Sequence, residues 1–116
     1  MSHFDQLPEF GKEFKRLSQK FPSLPTDLAS LEVILRTLPD GSGKNFVTMH
    51  SSEAVKIIKT RLMCKSTRDR SIRIIYAYQE HVTTFLYIEI YHKGDKANED
   101  TARIKDYLGS LKKPSK

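Results

Sequence analysis

The sequence predicts an α+β domain made of an N-terminal helix hairpin, an antiparallel β-sheet meander and a C-terminal helix. Three observations predict it. Apolar residues recur every third or fourth position up to residue 38, the period drops to two between residues 55 and 93, and the helical period returns after residue 98. Helices grouped on one side of an antiparallel sheet leave its other side free for a task.

Residues 1–7 carry only a weak strand signature. Leu7, Phe10, Phe14, Leu17 and Phe21 then form one stripe, with Lys12, Lys15, Arg16 and Lys20 between them, and this amphipathic helix stops before Pro22. Pro25-Thr26-Asp27 puts a proline and an acid into the first turn of a second helix, whose stripe is Leu28, Leu31, Ile34, Leu35 and Leu38. Pro39-Asp40-Gly41 ends it. A joint of a few residues makes the pair a hairpin over 8–38. Residues 40–54, with Gly41, Gly43 and Asn45, have no helical period and read as a long loop with a brief extended piece at Phe46-Val47-Thr48-Met49.

Val55–Cys64, Ser71–Gln79 and Thr83–His92 are rich in Val, Ile, Thr, Tyr and Phe with alternating charges, and read as three strands of a sheet over 55–93. The connectors Lys65–Arg70 and Glu80–Val82 are short, so neighbouring strands run antiparallel. Gly94-Asp95 breaks the last strand. Asn98 is a candidate N-cap, Glu99 and Asp100 suit a first turn, and Ile104, Tyr107, Leu108 and Leu111 give the stripe of a helix over 98–111. The Lys/Pro/Ser end beyond it is expected to fray.

With 116 residues, 38% of them apolar and 29% charged, the chain suits one globular domain over 1–116. No apolar run approaches the ~20 residues needed to span a bilayer, so no membrane partner is expected. Met1-Ser2-His3-Phe4-Asp5 lacks the basic start and apolar stretch of a signal peptide, and the lone Cys64 has no internal disulfide partner. A reducing, cytoplasmic setting is the expectation.

The net charge of +6 is concentrated in one stretch. Residues 1–55 carry six Lys and Arg against seven acids, and residues 74–116 carry seven against six. Residues 56–73 carry seven against Asp69 alone. Such a strip marks a surface for phosphate or for an acidic protein.

Side chains two apart on a strand share a face. Lys59 and Arg61 oppose Ile58, Leu62 and Cys64, and Arg73 opposes Ile72, Ile74, Tyr76 and Tyr78. In the third strand Leu86, Ile88 and Ile90 oppose Phe85, Tyr87, Glu89, Tyr91 and Lys93. The economical arrangement packs the aliphatic sets on the helices and leaves Lys59, Arg61, Arg73, Tyr91 and Lys93 on the open face. Cations there would hold phosphates while aromatics stack on bases. A single strand tyrosine or arginine ordinarily means packing or solvation, so the convergence carries the argument. Lys56, Lys65, Arg68, Arg70, Tyr91 and Lys96 are further candidate RNA contacts. His3, His50, His81 and His92 lack metal-ligand spacing, and no glycine pattern for nucleotide phosphates occurs, so no metal or cofactor is expected.

Four segments in this order, Lys59-Thr60-Arg61-Leu62, Arg73-Ile74-Ile75-Tyr76, Ile88 through Lys96, and Asn98-Glu99-Asp100, resemble toxins of the RelE branch of the RelE/ParE superfamily over about residues 55–108. The family layout of two helices, an antiparallel sheet and a C-terminal helix agrees with the reading above. The resemblance implies a ribosome-dependent mRNA endonuclease neutralised by a cognate antitoxin, with mRNA and the ribosome as its other partners. It implies catalytic roles for Lys59, Arg61 and Arg73 on the central strands, and for His92 or Lys93 near the last strand. Cleavage through the 2′-hydroxyl needs a base, charge stabilisation and an acid. Lys59 is the candidate base, Arg61 and Arg73 the phosphate clamps, and Lys93 or His92 the candidate acid. The competing class is a non-enzymatic binder, either a ParE-like gyrase poison or an inactive RNA-binding relative.

Overall fold

Pro8 opens the first helix at a position where a missing backbone N–H leaves no hydrogen bond unmade, and the helix, α1, runs Pro8–Lys20. The computed structural model describes residues 2–41 and 43–112, so the 113–116 end that was expected to fray lies outside the described residues. Phe10 and Leu17 of the α1 stripe are buried, and the Phe21 N–H closes the helix on the Leu17 carbonyl at 2.7 Å. After Phe21–Ser23 the chain enters α2, Leu24–Thr37, again with a proline in the first turn. Leu24, Leu31 and Leu35 are buried, whereas Ile34 and Leu38, also on the expected stripe, are 44% and 48% exposed.

The sheet has five strands, β1 (His3–Gln6), β2 (Phe46–Ser51), β3 (Lys56–Cys64), β4 (Asp69–Gln79) and β5 (Thr84–His92), in the order β1-β5-β4-β3-β2. Two of them enlarge the expected three-stranded meander. The faint N-terminal signature is a strand that pairs parallel with β5, which makes the sheet mixed and not wholly antiparallel. Phe4 stacking on Phe85 at 4.6 Å holds it there. The brief extended piece in the expected loop is a full edge strand paired antiparallel with β3. The expected loop is split into the residues before Phe46 and a short turn at Ser52–Val55. In the first part Gly41 adopts φ +68° and its N–H reaches the Leu38 carbonyl at 2.8 Å. A Cβ at Gly41 would run into the Phe46 ring. Gly41→Ala is therefore expected to destabilise the fold by about 2 kcal/mol, read as a lower urea midpoint at unchanged slope.

Both faces of the sheet carry core. Against α1 and α2 lie Ile58, Leu62, Cys64, Ile72, Ile74, Tyr76, Tyr78, Phe85, Tyr87 and Ile90. On the other face Val55, Ile57, Ile75, Ala77 and Ile88 pack with Ile104 of the third helix, α3 (Thr101–Lys112). The second face is thus partly roofed, not open. Helix α3 also starts later than residue 98. Asp100 caps it by accepting the Arg103 N–H at 3.0 Å, because Glu99 and the Asp100 N–H are already engaged by the sheet.

The alternation expected along β5 fails at one place. Ile75 pairs with Glu89 but Tyr76 pairs with Tyr87, so Ile88 is the extra residue of a β-bulge. Phe85, Tyr87 and Ile90 consequently face the two N-terminal helices, and Leu86 and Ile88 face α3, against the expectation that Leu86, Ile88 and Ile90 would share a side. The bulge frees backbone groups from the ladder, and two side chains take them up. Arg103 Nη1 donates to the Ile88 carbonyl at 2.9 Å, and the Ile90 N–H donates to Glu13 Oε1 at 3.3 Å. Arg103 and Glu13 are themselves joined by two hydrogen bonds of 3.0 and 2.9 Å. Among the described residues no helix is long and apolar enough to cross a membrane.

Candidate functional site

Strand register places the sequence-predicted cations on the α3 side of the sheet. Arg61 of β3 faces Arg73 of β4, which faces Tyr91 of β5. The adjacent row is Lys59, Ile75 and Glu89. Two arginines directly opposite one another across antiparallel strands repel, which costs stability unless an anion comes between them. Arg73 Nη1 is turned to the Arg70 carbonyl, which orders the guanidinium beside this row. By alternation Lys93, two residues beyond Tyr91, follows on the same side, with its N–H on the Ser71 carbonyl at 2.9 Å and its side chain exposed.

The cations do not stand alone. Lys59 Nζ lies 3.0 Å from Glu99 Oε1, and both side chains are largely covered. Burial raises the Glu99 carboxyl, but its own backbone N–H, then Lys59 and Lys96, outweigh that and hold it below the ordinary carboxylate range. Glu89 is fully buried, and accepts from Lys96 Nζ and, at 2.7 Å, from the Asp100 N–H just before α3. An isolated buried carboxylate would be costly, so these donors are what allow Glu89 to sit there. Tyr91 is 4% exposed, with Lys96 Nζ 5.3 Å from its ring centre. Burial pushes the Tyr91 phenol up, and Glu99 and Glu89 push it further.

Glu99 is the member of this cluster that sequence reasoning assigned only to a helix turn. The available signal was the charge imbalance of 56–73: half-buried cations need counter-charges, and the acidic Glu99-Asp100 pair follows β5 closely.

The remaining predicted residues fall elsewhere. His92 lies on the opposite face, 5.2 Å from Phe21 with its Nδ1 accepting the Gly94 N–H at 3.2 Å, so strand alternation keeps it apart from Lys59 and the arginines. Lys56 pairs with Tyr78 on the helix face and is held by Asp40 at 2.6 Å, a hydrogen bond that raises its pKa. Lys96 is committed to Glu89. Lys65, Arg68 and Arg70 are exposed around the β3–β4 turn, with Arg70 Nη1 3.5 Å from the Arg61 carbonyl. The basic strip of the sequence is therefore a row on the sheet, a cluster at one turn and an outlying Lys56. Among the described residues no group of three or more His, Cys, Asp or Glu is placed to hold a metal ion.

No family model matches the chain, and no curated protein matches it. Among solved structures, the crystal structure of the archaeal RelE–RelB complex from Pyrococcus horikoshii OT3 matches with a TM-score of 0.62, covering 82% of this chain and 98% of that one at 11% sequence identity. At that identity the likeness concerns the fold. With three helices and a five-stranded mixed sheet in the same arrangement, the chain has a RelE-like fold.

Proposed function

We propose that the chain is the toxin of a toxin–antitoxin pair, an endonuclease that cuts mRNA on the ribosome in the cytoplasm and so stops translation. The observation that supports this reading most is the Arg61–Arg73–Tyr91 row, with Lys59 beside it, on a RelE-like fold. The row sets two permanent cations against each other across a sheet, an arrangement that a bound phosphodiester would relieve.

The chemistry needs no metal. The 2′-oxygen attacks the adjacent phosphorus, the bond to the 5′-oxygen breaks, and a 2′,3′-cyclic phosphate is left on the upstream fragment. Arg61 and Arg73 carry the charge of the phosphorane, since guanidinium stays protonated throughout. The proton of the 2′-hydroxyl goes to the Lys59–Glu99 pair, in which the carboxylate is the basic member and Lys59 orients it. Lys93 supplies the proton to the departing 5′-oxygen. Tyr91 offers an aromatic surface beside the arginines, and Lys65, Arg68 and Arg70 extend the basic track beyond the row. His92 has no part in this arrangement. The solved neighbour is a complex of RelE with RelB, and a corresponding antitoxin is the partner proposed for this chain.

Expression of the chain alone is expected to arrest growth within about one doubling, and 5′-end mapping of cellular RNA should show new cuts inside coding regions. Intact transcripts with loss of DNA supercoiling would overturn the nuclease reading in favour of a gyrase poison.

A further inference from the structure

A groove of about 160 Å³ lies at the edge of the sheet between α2 and the end of β3, with Leu31, Ile34, Phe46, Leu62 and Met63 among its walls. It is apolar, and two of its walls are exposed where burial would be expected: Ile34 at 44% and Met63 at 42%. Arg61, Lys65 and Arg70 stand around it, and none of the three is in an ion pair among the described residues. The one acid in the lining, Asp27, is buried and already accepts from the Ser23 hydroxyl at 2.7 Å and the Lys65 N–H at 3.2 Å.

Two further features concern hydrogen bonding. Strand β2 pairs with β3 only as far as Phe46 and Thr60, so Leu62–Cys64 have no strand on that side. Thr60 lines the groove with its side chain fully buried and its Oγ1 without a partner among the described residues. An open strand end beside an apolar groove is a template for an extended peptide.

We propose that this groove docks an acidic segment of a partner protein, bound in extended form along the end of β3 with an apolar side chain between Ile34 and Met63. The carboxylates of the segment would meet Arg61, Lys65 and Arg70, and its backbone would supply the missing partner for Thr60. A nucleobase suits the lining less well, because its polar edge atoms would be buried against a single free hydroxyl. A second copy of this chain, net charge +6, brings like charge to a basic rim. The inference does not require the chain to cut RNA.

The test is fluorescence anisotropy with a labelled synthetic peptide of alternating leucine and glutamate, the same peptide with serine for leucine, and a single-stranded RNA oligonucleotide. The leucine peptide is expected to bind at least about tenfold more tightly than the serine one, and Ile34→Asp and Met63→Glu should each weaken it about tenfold. Arg70→Ala should flatten the salt dependence of peptide binding. RNA binding should be unchanged by Ile34→Asp. Both wall residues are exposed and belong to different elements, and thermal unfolding of each variant identifies any folding defect. Equal binding of the two peptides, or wild-type binding by both wall variants, overturns the proposal. Loss of RNA binding in Ile34→Asp with peptide binding intact would make the groove an RNA site and also overturn it.

Discussion

Arg73→Ala and Lys59→Ala are each expected to slow RNA cleavage on programmed ribosomes by roughly 10²–10³-fold and to abolish toxicity, because Arg73 carries phosphorane charge and Lys59 orients the carboxylate that takes the 2′-hydroxyl proton. Their effects on stability should differ. Arg73 is opposed by Arg61 and has no carboxylate partner among the described residues, so its loss relieves repulsion and should leave the melting temperature unchanged or slightly higher. Lys59 is the counter-ion of the mostly covered Glu99, so removing it strands that carboxylate at a cost of about 1 kcal/mol. Lys105→Ala, exposed on α3, serves as the control and should be silent in both assays. Glu99→Gln should slow cleavage while leaving RNA affinity at or above the wild-type level, since it removes a negative charge from the face. If the Arg73 and Lys59 variants cut at the wild-type rate, the cations serve binding or solubility and the assignment of the site fails.

How much of this face could be read from the sequence depended on the strand. Lys59, Arg61 and Arg73 sit in segments where charge alternates with aliphatic residues, and one polar residue among apolar neighbours fixes the phase. In Leu86-Tyr87-Ile88-Glu89-Ile90-Tyr91 both faces are covered and otherwise apolar, so Glu89 marks the phase only on its own side of the bulge, which itself leaves no trace. That is why Ile90 and Tyr91 were expected on the faces where they lie, while Phe85, Leu86, Tyr87 and Ile88, on the other side of the bulge, were expected on the wrong ones. His92 faces Phe21 by plain alternation with Tyr91, in register beyond the bulge. The helices were legible from their stripes, but a stripe does not say which face of the sheet it covers, and α3 roofs part of the side expected to be open. Strand β2 was obscured by the glycines and serines around it. The pairing of Lys59 with Glu99 spans forty residues and follows only from the folded path of the chain.

The bulge at Ile88 gives the second large expectation, because a single ion pair supplies what the ladder lacks there. Arg103 and Glu13 are joined through two hydrogen bonds and together serve the Ile88 carbonyl and the Ile90 N–H. Their side chains are only 17% and 21% exposed, so water replaces them poorly. Arg103→Leu leaves the Glu13 carboxylate without its counter-charge, with only the Ile90 N–H donating to it, and takes the donor from the Ile88 carbonyl. It should cost roughly 2–4 kcal/mol, a fall of about 10 °C in Tm for a chain of this size. Glu13→Leu should cost a similar amount, since it frees the Ile90 N–H and the guanidinium. The double variant should lose clearly less than the two single losses added together, because much of each single cost is the charge left unpaired. Beyond stability, the bulge sets the face on which Tyr91 emerges. Arg103→Leu is therefore expected to expose the Tyr91 phenol and bring its titration down toward the ordinary tyrosine range, which ultraviolet difference spectra against pH would follow, with Tyr91→Phe identifying the band. An Arg103→Leu protein that melts at the wild-type temperature with the Tyr91 titration unmoved would show that the strand holds its bulge without this pair.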